Sequence, residues 1–320
     1  MRQLHLLTAV LFISFQLVGA PSAAAHQDPE QAGYIEVEGG KIWYRMNGMK
    51  FLGKKAALIV LHGGPGGTHR GNMPLVDLAN ERPVVLYDQL DTGNSERLND
   101  KKNWTVPRFL SEIDSIRNTL HLDEVIVLGH SWGGTLAAEY AVSQPKGLKA
   151  VILSSPLINT KRWIADADIW RSQLPKNVEA TLRKHEAAGT TNSEEYKAAE
   201  LVFLSRHMCR KDPCPGAENR LGGPAWNPDL YEYMWGPTEF HATGTLKDYD
   251  ISARLKSIKV PSLMVCGEFD EAAPKTCALF AKMIEKNQTI IIPEAGHATM
   301  AENKLLYLKS IRDFISKAGL

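Results

Sequence analysis

The stretch Gly129-His130-Ser131-Trp132-Gly133-Gly134 constrains this 320-residue chain more than any other. It has the spacing G-x-S-x-G. A short apolar run, residues 125–128, precedes it, and a helical pattern, residues 135–142, follows. A strand that turns sharply into a helix at a serine lifts the hydroxyl off the strand end, and small neighbours let strand and helix approach closely. The start of the helix also favours negative charge beside the serine. The chain around such a turn should be built from strands and helices in alternation.

That alternation is present. Residues 34–47 read as a hairpin, with Tyr34, Val37, Ile42, Tyr44 and Met46 flanking the turn Glu38-Gly39-Gly40. Continuous apolar runs at 56–61, 83–87, 125–128 and 150–153 read as strands with both faces buried. Residues 107–120 carry Phe109, Leu110, Ile113, Ile116 and Leu120 at helical spacing. After Ser155 the rhythm breaks. Residues 157–248 hold helical stretches (164–170, 178–187, 194–207) and no clear strand. It resumes with strands at 260–265 and 289–292 and helices at 274–284 and 305–315. The expected architecture is α/β: a mostly parallel central sheet flanked by helices, in two parts (26–156 and 249–320), interrupted by a helical cap (157–248).

The remaining chemistry falls at strand ends. His62-Gly63-Gly64-Pro65-Gly66-Gly67 closes the run 56–61. Glycines there let backbone amides face an oxyanion, and Gly64 is the candidate donor, paired with the N–H of Trp132. The Lys-Ser/Thr of a nucleotide loop is absent. Among Glu268, Asp270 and Glu271, Asp270 is the candidate acid, because it begins the turn toward the helix at Pro274. His297 follows the last strand. The order Ser131, Asp270, His297 is that of the α/β-hydrolases: nucleophile, orienting acid, general base. His62 and His130 read as structural or pocket-lining. His185 and His207 read as solvated helix residues, and His241 stays open.

Charge and cysteine narrow the classes. Lys+Arg 37 against Asp+Glu 36 gives +1. This excludes the basic footprint of a nucleic-acid binder and of a protein held on anionic lipid. Residues 6–20 form an apolar run behind Arg2, with Ala23-Ala24-Ala25 after it. That reads as a secretory signal peptide (1–25), too short and too interrupted by Gln16 for a membrane anchor. Cleavage after Ala25 leaves a formally neutral chain of 295 residues, periplasmic or secreted. In an oxidising compartment the four cysteines allow three connectivities. Cys209–Cys214 and Cys266–Cys277 are favoured, with free buried thiols as the alternative. No cysteine or histidine spacing suggests a metal site, and no cofactor is expected.

With these residues in place, the chain resembles the prolyl iminopeptidase branch of the α/β-hydrolases, which includes the tricorn-interacting aminopeptidase. The matching stretches are HGGPGG (62–67), YDQLDTGNS (87–95), GHSWGG (129–134), MWGPTEFHATGTLKDYDI (234–251), GEFDE (267–271) and GHATMAEN (296–303). The resemblance implies a helical cap over the triad and carboxylates, Glu239 and Glu271 by position, that hold a peptide's free amino end. Trp132, Trp235 and Phe240 are candidate walls for a proline pocket, though such residues are more often core. Asp91 departs from the pattern, which has glycine there; it either alters substrate preference near the mouth or faces water. The expectation is an exported serine aminopeptidase acting on short peptides with a free N-terminus, proline preferred. The rivals are an amino-acid amidase or carboxylesterase with the same triad, and a non-catalytic binding protein on the same fold.

Overall fold

In the computed structural model, which describes residues 28–214 and 225–320, the apolar runs become strands whose alternate side chains enter two different cores. In β3 (Ala57–Leu61), Ala57, Ile59 and Leu61 enter one cluster, and Leu58 and Val60 the other. β5 (Val125–His130) divides Val125 and Val127 from Ile126 and Leu128 in the same way. β6 (Leu148–Ser154) divides Val151 and Leu153 from Ala150 and Ile152. Side chains alternate along a strand, so a run without polar residues needs cover on both faces. One face is covered by α1 (Val106–Thr119), α2 (Trp132–Val142) and α7 (Pro274–Ala281). The other is covered by a 3₁₀ stretch, His69–Asn80, and by the C-terminal helix Lys304–Lys317.

The sheet has eight strands in the order β1-β2-β4-β3-β5-β6-β7-β8. The hairpin β1 (Gln31–Val37) and β2 (Gly40–Asn47) is antiparallel, and β2 joins β4 (Val84–Asp88) antiparallel. From β4 to β8 the strands run parallel, with β7 (Ser262–Gly267) and β8 (Asn287–Ile292) completing the edge. All carboxyl ends of the parallel strands therefore open on one rim, where ligand sites of such sheets lie. Ser131, Asp270 and His297 each follow one of these ends.

Between β6 and β7 lie α3 (Thr160–Arg171), α4 (Lys176–Ala188), α5 (Glu194–His207) and α6 (Pro228–Met234). They have an apolar cluster of their own, in which Leu182, Tyr196, Phe203 and Phe240 meet. Arg171 is buried beneath them and reaches Glu179 (3.0 Å) and Glu186 (2.9 Å). The structure closes both cysteine pairs, Cys209–Cys214 and Cys266–Cys277. The expected signal peptide lies outside the described residues. No helix among the described residues is long and apolar enough to cross a membrane.

Three readings of single residues change. His185 and His207 are not solvated: both are buried. His185 sits between Thr190 (2.7 Å) and Glu195 (3.0 Å), and His207 donates from Nδ1 to Phe269 O (2.9 Å) between the rings of Trp170 and Phe203. Helical periodicity missed them because their partners come from outside their own turns. Asp91 neither lines the mouth nor faces water. It is fully buried and accepts from Leu98 N (2.6 Å), Asn99 N (2.7 Å) and Trp104 Nε1 (2.8 Å), so its carboxylate ties down the following loop. It does so at φ 67°, the left-handed region that glycine would enter freely.

Candidate active site

The turn at Ser131 is strained and tightly packed. Ser131 has φ 57° and ψ −120°, at a cost of about 1–3 kcal/mol that surrounding contacts must offset. Its N–H donates to Ser154 O (2.9 Å), and its carbonyl accepts from Gly134 N (2.8 Å) and Thr135 N (3.2 Å). A Cβ on Gly129 would lie 1.8 Å from Gly133 O, and one on Gly133 would lie 2.3 Å from Leu61 O. Only glycine lets strand and helix come this close. The helix starts at Trp132, three residues before the apolar pattern suggested, because the glycines of its first turn carry no periodic signal. Trp132 N–H therefore belongs to the first turn, whose amides have no carbonyl behind them.

The glycine loop after β3 lies against this turn. A Cβ on Gly63 would sit 3.1 Å from Ser131 Cβ. Gly63, Gly64, His130, Ser131, Glu239 and His297 line one cleft with about 730 Å³ of space between atoms, part of it open to solvent. Of the three aromatic candidates for its wall, none lines it. Trp132 packs edge-on against Phe109, Trp235 against Trp163, and Phe240 against Phe203. Trp226 is the tryptophan at the cleft.

Asp270 has no exposed surface and four donors. Oδ1 accepts from His297 Nδ1 (2.8 Å) and Ala272 N (2.9 Å), and Oδ2 from Ser155 Oγ (2.5 Å) and Gly267 N (3.0 Å). Burial alone would raise its pKa. The His297 charge and the donors from His297, Ser155 and Gly267 outweigh burial and hold the carboxyl below its ordinary range. With Nδ1 committed to Asp270, Nε2 is the ring nitrogen left to face the nucleophile. The His297 loop is clamped from α5's end: His297 N donates to His207 O (2.7 Å) and Ala298 N to Met208 O (2.8 Å). No hydrogen bond joins Ser131 Oγ to His297 Nε2 among the described contacts. Such bonds often close only with substrate present.

The acids predicted to bind an amine converge here. Glu271 Oε1 lies 3.7 Å from His297 Nε2, and neither Glu271 oxygen has a hydrogen-bond partner although the residue is 1% exposed. Burial, then the charges of Glu239, Asp270 and Glu200, push its pKa well above the usual value. Glu239 is also buried, and burial raises its pKa against the opposing pull of His297 and the Tyr231 hydroxyl. Glu200 of α5 is pushed up to about 7 by burial and by Glu239. Sequence reasoning missed Glu200, Tyr231 and Ser155. None stands in a motif, and only the packing of α5, α6 and β6 brings them to the rim.

Such an arrangement offers a nucleophile, a base, an orienting acid and carboxyls short of donors, which suits acyl transfer on a cationic substrate. Residues 56–304 match the family described as alpha/beta hydrolase fold. The chain is 40% identical to a proline iminopeptidase of Heyndrickxia coagulans, over 89% of this chain and 98% of that one. Two crystal structures are similar throughout. VinJ has 32% identity and a TM-score of 0.86, over 91% of this chain and 100% of its own. The proline iminopeptidase of Mycobacterium smegmatis has 33% identity and a TM-score of 0.80, over 90% and 98%. The chain belongs to the proline iminopeptidase family of α/β-hydrolases and is a serine hydrolase of the aminopeptidase type.

Proposed function

We propose that this enzyme removes the first residue, proline by preference, from short peptides with a free amino end. One observation carries the reading. Two buried carboxyl groups, Glu239 and Glu271, stand beside the triad, and Glu271 has no donor of its own. A buried acceptor without a partner is rare unless something is meant to fill it. A substrate ammonium supplies the missing donors and the opposite charge. It also fixes the cut, since a longer N-terminal extension would put carbon where the ammonium belongs.

In this reading His297 Nε2 takes the Ser131 proton as Oγ attacks the carbonyl carbon. The carbonyl pair moves onto oxygen, where the N–H groups of Gly64 and Trp132 receive it. Asp270 holds the imidazole and stabilises its cation. The imidazolium then protonates the leaving amine. Water, activated by the same base, releases the residue from the acyl-enzyme. Residues 157–248 act as a cap whose α5 clamps the His297 loop, and the Cys209–Cys214 pair lies just beyond that clamp. Residues 1–25 direct export to the periplasm or medium.

Two measurements test this. A fluorophosphonate should label wild-type enzyme at Ser131 and leave the Ser131→Ala variant unmarked; a folded wild type that resists labelling would favour a non-catalytic protein. Glu239→Gln should lower turnover of prolyl arylamides far more than that of simple esters. Equal retention of both would favour the amidase or esterase alternative.

A further inference from the structure

Gln89 spans the two halves of the oxyanion site without touching the cleft. It follows β4 and has no exposed surface. Its side-chain Nε2 donates to the carbonyl oxygen of His62 (3.1 Å), the residue just before Gly63-Gly64. Its Oε1 accepts from the indole Nε1 of Trp132 (2.9 Å). The orientation of this amide is forced, because an indole N–H only donates and a carbonyl only accepts.

The backbone of the same residue completes the frame. Gln89 N donates to His62 Nε2 (3.0 Å), so His62 carries its proton on Nδ1 and donates to Gly63 O (2.9 Å). Thr92 Oγ1 donates to Gln89 O (2.7 Å). Burial, the largest effect, lowers the His62 pKa to about 4, in keeping with this neutral tautomer. Every atom of the bridge is thus satisfied and dry.

We infer that Gln89 is a positioning residue for the oxyanion hole: one rigid amide sets the spacing between the glycine loop and the residue following the nucleophile. The loop's glycines have no side chains to hold them, and the indole that Gln89 grips belongs to the residue whose N–H is the other donor. A stabilising donor must lie within a few tenths of an ångström of its place, and its loss typically costs about 10²–10³ in rate. This inference rests on Ser131 as nucleophile, with Gly64 and Trp132 as donors.

The test compares two ligands that share the pyrrolidine amine. Prolinal has an aldehyde that Ser131 Oγ can add to: the O–C bond forms, the serine proton passes to His297, and the carbonyl pair becomes the oxyanion. Prolinol has the same amine and no carbonyl. In wild type, prolinal should bind much more tightly than prolinol. Gln89→Leu should reduce that preference about 10- to 100-fold, somewhat less than full loss of a donor. Its prolinol affinity should stay within about twofold, because that reads only the amine site. kcat for a prolyl arylamide should fall in step while KM holds.

Gln89→Glu, which keeps the acceptor for Trp132 but loses the donor to His62, should fall between. If Gln89→Leu fails to fold, Trp132→Phe cuts the same bridge on one side and should lower the preference as well. An unchanged prolinal preference in the folded variants overturns the inference, as does an equal loss for both ligands. A wild type with no preference for prolinal would instead count against Ser131 and its oxyanion site.

Discussion

Replacing Glu271 by glutamine separates two effects that ordinarily move together. The carboxyl is buried, and its pKa is raised well above the ordinary value. A group raised on folding contributes fully to stability below its unfolded pKa and loses that contribution as pH climbs toward its folded one. Below about pH 4 both states are protonated and Glu271 is neutral. Above that, the unfolded chain releases its proton while the folded one keeps it. Stability then falls by about 1.4 kcal/mol per pH unit until the folded pKa is reached. Glutamine has the same shape and no proton to lose. As pH rises from 5 to 7, wild type should therefore lose stability that Glu271→Gln keeps, so the variant's Tm should gain on wild type's across that range. Binding of the substrate ammonium draws that proton off and leaves a carboxylate facing it, which glutamine cannot form. A hydrogen bond to a charged group is worth about 1.5–3 kcal/mol, so kcat/KM for a prolyl arylamide should drop roughly 10- to 100-fold. Thermal melts across pH 4–8, with kinetics at pH 7, read both. Parallel Tm curves for the two proteins would refute the buried-proton argument, and unchanged kcat/KM would refute the role in binding.

Ser155→Ala removes the Ser155 Oγ donor from Asp270 and should raise the depressed carboxyl. The stability this pairing gives is present above the ordinary aspartate pKa and lost as pH falls through the folded one. The variant should therefore be weaker by about 1.5–3 kcal/mol at pH 7, with the gap to wild type closing as pH falls below the ordinary aspartate range, as acid titration of the melt would show. Cys209→Ala/Cys214→Ala opens a loop with a sequence separation of 5 and should cost about 2 kcal/mol by chain entropy, measured by denaturant midpoint. Because the staple adjoins the His207 and Met208 carbonyls that hold the His297 loop, kcat should fall more than KM changes. Single and double alanine variants of Ser131 and His297 should lose nearly the same activity, because triad members act as a unit.

The fold was legible where composition leaves no choice. Runs such as 57–61 and 125–128 lack polar residues, so they need cover on two faces, and glycine at 129 and 133 is the only residue that fits the turn from β5 into α2. Catalytic order was legible because each candidate closes a strand. What stayed hidden depends on distant partners. The 3₁₀ stretch at His69–Asn80 contains Pro74 and begins with polar residues, so it gives little periodic signal. The short helix Pro228–Met234 is held by its cap, Asn227, and by packing. Glu200 and His207 look like ordinary polar residues in sequence, and Gln89 stands in the motif YDQLDTGNS with nothing to mark its partners. Their placement arises only when α5, the glycine loop and the Ser131 turn meet.

The central claim is that a free substrate amine is read by carboxyls beside the triad. The most direct measurement is kcat/KM for prolyl arylamide against its N-acetylated form, with alanyl and leucyl arylamides alongside. Losing the ammonium forfeits two charge-assisted contacts, each about 1.5–3 kcal/mol, so the blocked compound should be hydrolysed at least about 100-fold less well. Prolyl should lead the free series. Hydrolysis of free and acetylated substrates at similar rates would contradict the account.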